Sequence, residues 1–169
     1  MKNILILFAL LTFSLLELGC QKQDDGLLAE DTLTVRVNGK TYTTDNVTAK
    51  VSIHEGLHSK SLIMSVVLSP TQVMAIGWLI DSVETSNKCL PLLDATCANW
   101  QDFLEFSYAS TAGTAYSSGT GDVCRFSITN CDEDRKRLSG TFSTTMEDSN
   151  GNIIEFADGV FHDILYTTD

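Results

Sequence analysis

The chain contains 169 residues and carries a net charge of −11, because 22 acidic side chains outnumber 11 basic ones. This length suits one ordinary domain with a hydrophobic core. The acidic balance excludes nucleic acid as a partner, since phosphate contacts require lysine and arginine. It argues for the same reason against electrostatic binding to anionic lipids.

The N-terminus has the pattern of a helical signal peptide. Lys2 supplies one positive charge, and residues 4–16 are apolar apart from Thr12 and Ser14. A membrane-spanning helix needs about 20 apolar residues, and this run ends at Glu17. We therefore expect residues 1–19 to be removed as a signal peptide rather than retained as a membrane span.

The sequence Leu18-Gly19-Cys20 resembles a bacterial lipobox, in which a cysteine after a small residue becomes lipidated and N-terminal. Glu17 departs from that pattern, because an aliphatic residue is usual three places before the cysteine. The resemblance implies that Cys20 is the lipidation site and that the membrane is reached through a lipid anchor. Residues 21–25 are polar and acidic, and they resemble the surface-export tag of Bacteroidetes lipoproteins; a solvated linker is the alternative. Residues 20–31 are thus expected to form the lipidated cysteine and a flexible acidic stem.

The rest of the chain, residues 32–169, is predicted to be a single all-β domain. Apolar residues alternate with polar ones or form short apolar runs between turns, and Asn38-Gly39 and Asn150-Gly151 are hairpin signals. Such spacing predicts an antiparallel β-sandwich or β-barrel of about nine or ten short strands. These strands cover residues 33–37, 40–44, 47–53, 61–68, 73–80, 103–108, 123–129, 138–146, 153–157 and 160–166.

Four of the segments that connect these strands have sequences of their own character. Residues 54–60 are expected to form a polar loop, and residues 109–121, rich in Ser, Thr and Gly, a flexible loop. Residues 81–100 show no sustained period, and a helical turn is possible over 92–99. Asp158-Gly159 is expected to be a turn.

Four cysteines besides Cys20 are candidates for disulfide bonds, which export permits: Cys89, Cys97, Cys124 and Cys131. A strand over 123–129 places Cys124 and Cys131 about 20 Å apart, whereas a disulfide needs Cα atoms within about 7 Å. Pairing of those two is therefore disfavoured. Cross-pairs between the 89–97 segment and this strand remain open, as does a local Cys89–Cys97 bond with the other two reduced.

Three patterns contain residue types that occur in chemical sites. His54 and His58 have the spacing of a zinc-protease pair, but Gly56 and the preceding strand argue against the helix that such a pair requires. Residues 148–152 with Glu155 resemble a calcium loop only faintly, and a hairpin turn explains them. We predict no catalytic residue, no metal site and no cofactor. A sugar-stacking surface is an alternative to burial for five aromatic residues: Trp78, Trp100, Phe103, Phe106 and Tyr108.

Three stretches resemble an uncharacterised family of Bacteroidetes lipoproteins, domain of unknown function 6252. They are the strand, Asn-Gly and strand over 33–43, the sequence RLSGTFS at 137–143 and the sequence DGVF at 158–161. The resemblance implies a β fold and an outer-membrane, surface-exposed location, but no chemistry. It suggests that Gly140 and Gly159 serve turns or close packing and that Phe142 and Phe161 belong to the core.

These observations predict a non-enzymatic, membrane-anchored surface lipoprotein that binds a glycan, a small ligand or another envelope protein. The alternative is a lipocalin-like carrier of a small ligand, with a cavity lined by Trp78, Phe106 and Phe142. A hydrolase is a third hypothesis, which would need His54, His58 and carboxylates to meet in a cleft.

Overall fold

The computed structural model describes residues 29–81, 83, 85–86, 89–92, 94–96, 102–110, 112–118 and 123–169. The predicted signal peptide, Cys20, Cys97 and Trp100 lie outside these residues. Within the described ranges, no helix has the length and apolar character needed to cross a membrane.

The described chain is almost entirely β, as predicted, and its strands form a single sheet. Eleven strands are present, and a short 3₁₀ helix (Glu55–Leu57) precedes the fourth. The strands are β1 (Thr32–Val37), β2 (Lys40–Thr44), β3 (Val47–His54), β4 (Ser59–Ser69), β5 (Gln72–Ile80), β6 (Asp94–Thr96), β7 (Asp102–Ser110), β8 (Ala115–Ser117), β9 (Cys124–Asp132), β10 (Arg137–Asp148) and β11 (Ile153–Thr168).

The sheet closes on itself. Its strands follow the order β2-β1-β11-β3-β4-β5-β7-β8-β10-β9-β6, and β10 also pairs with β11. The ring therefore runs through β11, β3, β4, β5, β7, β8 and β10. Outside the ring, β1 pairs with β11 and β2 with β1, while β9 pairs with β10 and β6 with β9. All pairings are antiparallel except that of β11 with β3, which is parallel over three residues.

The first hairpin forms as its sequence predicts. Asn38 and Gly39 both have positive φ, 46° and 81°, and they connect β1 to β2. Such a turn has a twist that matches the flanking strands, which is why Asn-Gly is favoured there.

Two connecting segments contain strands that the sequence did not predict. Residues 94–96 form β6 on the edge of β9, where a helical turn was considered possible. The predicted flexible loop over 109–121 contains β8, which pairs with both β7 and β10. Both strands have three residues, too few to produce a readable alternation. In addition, β6 pairs with β9, which is not its neighbour in sequence.

Asp158-Gly159 is not a turn, contrary to the prediction. Both residues lie inside β11, which runs unbroken through the two predicted strands. Asp158 has a φ of 51°, and the register of β11 shifts at this point against β1 and against β10. The pair therefore forms a β-bulge, which bends the strand without ending it.

The core lies inside the closed sheet and is rich in aromatic side chains. Trp78 packs edge-on against Phe126 with ring centroids 5.3 Å apart, and Phe106 stacks on Phe142 at 6.0 Å. Tyr108 is also buried, whereas Phe103 is 63% exposed. Burial was thus the correct reading for Trp78, Phe106 and Tyr108, and Phe103 is the aromatic residue that stays on the surface.

The folded domain includes the last residues of the predicted flexible stem. Asp31 accepts hydrogen bonds through Oδ1 from the Leu165 amide and from Arg137, at 2.9 and 3.1 Å. Glu30 pairs with Arg135 at 3.1 Å. These contacts hold the two residues before β1 against the last strand and against the turn before β10.

Candidate functional site

Six neighbouring strands, in the order β2, β1, β11, β10, β9 and β6, expose a polar outer face. Because side chains alternate across a strand, the residues opposite the core positions form rows across this face. One row runs through Thr43, Thr34, Val160, Thr141, Ser127 and Asp94, each paired with the next in register.

The end of this face over β6, β9, β10 and β11 is an open groove of about 720 Å³, which we call the hydroxyl groove. Backbone and side chains of buried residues such as Phe126, Phe142 and Gly159 line part of it. Its polar side chains are those of Asp94, Thr96, Arg125, Ser127, Thr141, Ser143 and Asp158.

The hydroxyls of the groove have unused hydrogen-bonding capacity. Among the described residues, the side-chain hydroxyls of Thr96, Ser127, Thr141 and Ser143 take part in no hydrogen bond to protein. Each hydroxyl offers one donor and two acceptor lone pairs. Neighbouring strands lie about 4.8 Å apart, so these groups form a grid spanning about 10 Å across the three strands β6, β9 and β10.

The charges in the groove differ in their surroundings. Asp158 is neutralised by Arg36, whose Nη2 lies 2.7 Å from its carboxylate. Arg125 stands between Thr96 on β6 and Ser143 on β10. No carboxylate in the described part of the chain lies within ion-pair distance of its guanidinium.

A second open groove, of about 740 Å³, lies between the start of β3 and the two residues that precede β1. It is lined by the acidic residues Glu30, Asp31 and Asp45, beside Lys50 and the exposed Ile63. Glu30 and Asp31 are bound to Arg135 and Arg137, and Lys50 is paired with Asp169 at 2.8 Å. Most of its charges thus serve the structure, which leaves the hydroxyl groove as the better candidate site.

One disulfide bond is a cross-pair, which is one of the two alternatives that the sequence leaves open. Cys89 is bonded to Cys131 with Cα atoms 5.8 Å apart, which ties the segment before β6 to the end of β9. Cys124 is also disulfide-bonded. Both Cys124 and Cys131 belong to β9, as the argument against their direct pairing requires.

The last two residues of the predicted polar loop over 54–60 belong to a strand, and one of them is a buried lysine. Ser59 and Lys60 belong to β4 and are each 1% exposed, because Lys60 lies on the same inward face as Leu62. The Lys60 ammonium donates a hydrogen bond to the Cys89 carbonyl oxygen at 2.6 Å. Alternation with Leu62 indicates this inward position for Lys60, so the prediction of a polar loop was wrong at Ser59 and Lys60.

The two histidines of the zinc-like pattern do not share a helix face. His54 ends β3 and its Nε2 lies 3.2 Å from Ser61 Oγ, while His58 follows the 3₁₀ helix with a φ of 50°. In the described ranges, no group of three His, Cys, Asp or Glu side chains is placed to hold a metal ion.

The calcium-like segment is a hairpin turn built on Asp148. Its Oδ1 accepts hydrogen bonds from the backbone amides of Asn150 and Asn152, and its Oδ2 accepts one from the Asn152 side chain. These bonds, led by that of the Asn152 side chain, hold the pKa of Asp148 below its ordinary value. Both carboxylate oxygens are occupied by the turn itself.

The groove residues were not recognised as a site in the sequence, although half of the signal was present. The alternation in β10 places Ser139, Thr141, Ser143 and Thr145 on one face. The register with β6, β9 and β11, which brings Arg125 and Asp158 beside them, comes only from the structure.

No family model, no curated protein and no solved structure matches this chain. The site must therefore be judged on its own chemistry.

Proposed function

We propose that this chain is a non-enzymatic surface lipoprotein, anchored in the outer membrane through Cys20, whose β domain binds a hydroxyl-rich ligand of the glycan class. The signal-peptide pattern and the lipobox-like Leu18-Gly19-Cys20 support the anchor and the export route. The resemblance to the uncharacterised lipoprotein family supports the same location.

The observation that carries the binding proposal is the set of free hydroxyls in the hydroxyl groove. Binding sites present a few converging polar groups within a concave surface. A carbohydrate presents many donors and acceptors across an extended face, which four hydroxyls with two carboxylates and one guanidinium complement.

A steric block of the groove tests the binding proposal. Thr141 is exposed at the centre of the groove, and Trp is well tolerated in strands, so Thr141→Trp should fill the site and preserve the fold. The matched control is Thr41→Trp, which places the same side chain on the same face outside the groove. The full chain in detergent micelles should bind members of a glycan array, Thr141→Trp should lose that binding, and Thr41→Trp should retain it. Equal binding by both variants would contradict the proposal.

The anchor is tested separately from the groove. Cys20→Ala should abolish incorporation of labelled fatty acid and shift the protein out of the membrane fraction. Cys97→Ala removes a different cysteine and should leave lipid labelling intact. A Cys20→Ala protein that still carries lipid would refute the lipobox interpretation.

A lipocalin-like carrier is the second candidate, and one buried donor favours it. Trp78 is 1% exposed, and its indole Nε1 has no hydrogen-bond partner among the described residues. However, the proposed cavity walls, Trp78, Phe106 and Phe142, are in aromatic contact with other core rings or with one another. Titration with an apolar ligand that quenches Trp fluorescence, compared between the wild type and Trp78→Phe, separates the two functions.

A further inference from the structure

We infer that the hydroxyl groove selects an acidic glycan, with Arg125 binding the carboxylate or sulfate of one sugar residue. This inference rests on the proposed function and adds the chemical class of the ligand. It concerns one acidic group at a fixed position, because the protein as a whole is strongly acidic and repels polyanions.

The charges of the groove favour a ligand that carries an anion. Arg125 is exposed at the centre of the β6–β9–β10 face, and no carboxylate in the described part of the chain pairs with it. Four other cations of this acidic domain are paired: Arg36, Lys50, Arg135 and Arg137. A guanidinium without an internal partner in a binding groove is available for a ligand anion.

The position of Arg125 between two hydroxyl-bearing residues also suits an acidic sugar. Arg125 pairs in register with Thr96 on one side and with Ser143 on the other, so hydroxyls flank its base along the row. The guanidinium presents a planar fork of donors that matches a carboxylate or sulfate with two parallel hydrogen bonds. Hydroxyls on either side then accept and donate to the sugar hydroxyls next to the acidic group.

The acidic residues of the groove do not cancel its selectivity for an anion. Asp158 is already neutralised by Arg36 at 2.7 Å. Asp94 lies in the other row, opposite Ser127, and its carboxylate is more than 4.0 Å from the Arg125 guanidinium. Asp94 is thus placed to accept hydrogen bonds from sugar hydroxyls beside the anion.

The experiment uses the full chain in detergent micelles and three matched oligosaccharides: a neutral oligosaccharide that carries one uronic acid residue, the methyl ester of that compound, and the same neutral oligosaccharide with one sulfate instead. The ester keeps the sugar framework and removes the charge. We expect the acid to bind about 10- to 100-fold more tightly than the ester, the range for a charge-assisted hydrogen-bonded pair. Comparing the carboxylated and sulfated sugars identifies which anion the site prefers.

The variants are Arg125→Gln, Arg125→Lys and the control Lys136→Gln, which removes an equal charge from an exposed turn outside the groove. Arg125→Gln should abolish the preference for acid over ester, Arg125→Lys should keep part of it, and Lys136→Gln should keep all of it. Thermal melting of each variant confirms that it is folded.

Two failures are distinguishable. If acid and ester bind equally, or if Arg125→Gln binds the acid as tightly as the wild type does, the inference about the anion is overturned while binding lost in Thr141→Trp still supports the proposed function. If the wild type binds no oligosaccharide at all, the proposed function falls and this inference falls with it.

Discussion

Gly140 and Phe161 are cross-strand partners on β10 and β11, and the Phe161 ring lies over the glycine. A methyl group on Gly140 would overlap both this ring and the backbone carbonyl oxygen of Ser127. Phe142 lies in the same way over its partner Gly159, where an added Cβ would be 2.6 Å from two ring atoms. The two reciprocal pairs fix the register of β10 and β11 beneath the hydroxyl groove.

Gly140→Ala should destabilise the fold more than Gly159→Ala. Overpacking a core usually costs about 1–3 kcal/mol, and we expect Gly159→Ala in that range and Gly140→Ala above about 3 kcal/mol. The difference arises because Gly159 is crowded by a side chain alone, whereas Gly140 also meets backbone. Free energies of unfolding from chemical denaturation measure both.

A double-mutant cycle checks the cause. Phe142→Leu should relieve part of the cost of Gly159→Ala, whereas Phe161→Leu should relieve little of the cost of Gly140→Ala, because the Ser127 carbonyl remains. Equal relief in both cycles would show that backbone crowding is not the limiting factor at Gly140.

The Cys89–Cys131 bond should contribute substantially to stability. It closes a segment with a sequence separation of 42, and the loop-entropy relation assigns about 4 kcal/mol to a loop of that size. Cys89→Ser/Cys131→Ser should lower the free energy of unfolding accordingly. Peptide mapping without reduction should recover the Cys89–Cys131 cross-link and a second one containing Cys124. Recovery of a Cys89–Cys97 peptide would contradict the observed pairing.

Lys60 should be protected from chemical modification by the disulfide-bonded segment above it. Its ammonium is buried and hydrogen-bonded to the Cys89 carbonyl, whereas Lys136 is exposed in a turn. Acylation followed by mass spectrometry should modify Lys136 rapidly and Lys60 slowly in the oxidised protein. Reduction of Cys89–Cys131 should raise the rate at Lys60 while leaving Lys136 unchanged. Similar rates at both lysines before reduction would argue against the buried position.

Asp148 should make stability depend on pH. Hydrogen bonds from Asn152, and then from Asn150, favour its charged form and hold its pKa below the ordinary value of 3.8. A lowered pKa in the folded state stabilises the fold above that value, and this contribution is lost as the pH falls through the folded-state pKa. The melting temperature of Asp148→Asn should therefore lie below that of the wild type at neutral pH.

The difference between Asp148→Asn and the wild type should shrink as the pH falls below 3.8. Glu147→Gln removes one charge from the same hairpin and is the control. A constant gap between Asp148→Asn and the wild type at all pH values would show that lost shape, rather than charge, explains the effect.

Long strands and tight turns could be predicted from the sequence, but which strands lie side by side in the sheet could not. The alternation over β1, β3 and β10 and the Asn38-Gly39 turn are local signals, and they produced correct elements. β6 depends on a distant partner, β9, and β8 is too short to show an alternation. The bulge at Asp158 and Gly159 resembles a turn because the same residues suit both.

The candidate site was less predictable than the fold for the same physical reason. Each hydroxyl of the groove looks like an ordinary solvent-facing strand residue until the register places four strands side by side. Lys60 is the opposite case, because it was predicted to lie in a polar loop although alternation with Leu62 indicates an inward position.

The most direct test of the account is oligosaccharide binding to intact cells that express the full chain. This single measurement requires the anchor, the outward orientation and the hydroxyl groove together. We predict that cells with the wild type or Thr41→Trp retain labelled oligosaccharide, whereas cells with equal amounts of Thr141→Trp do not. Retention by Thr141→Trp cells at the wild-type level would contradict the claim that this groove is the binding site.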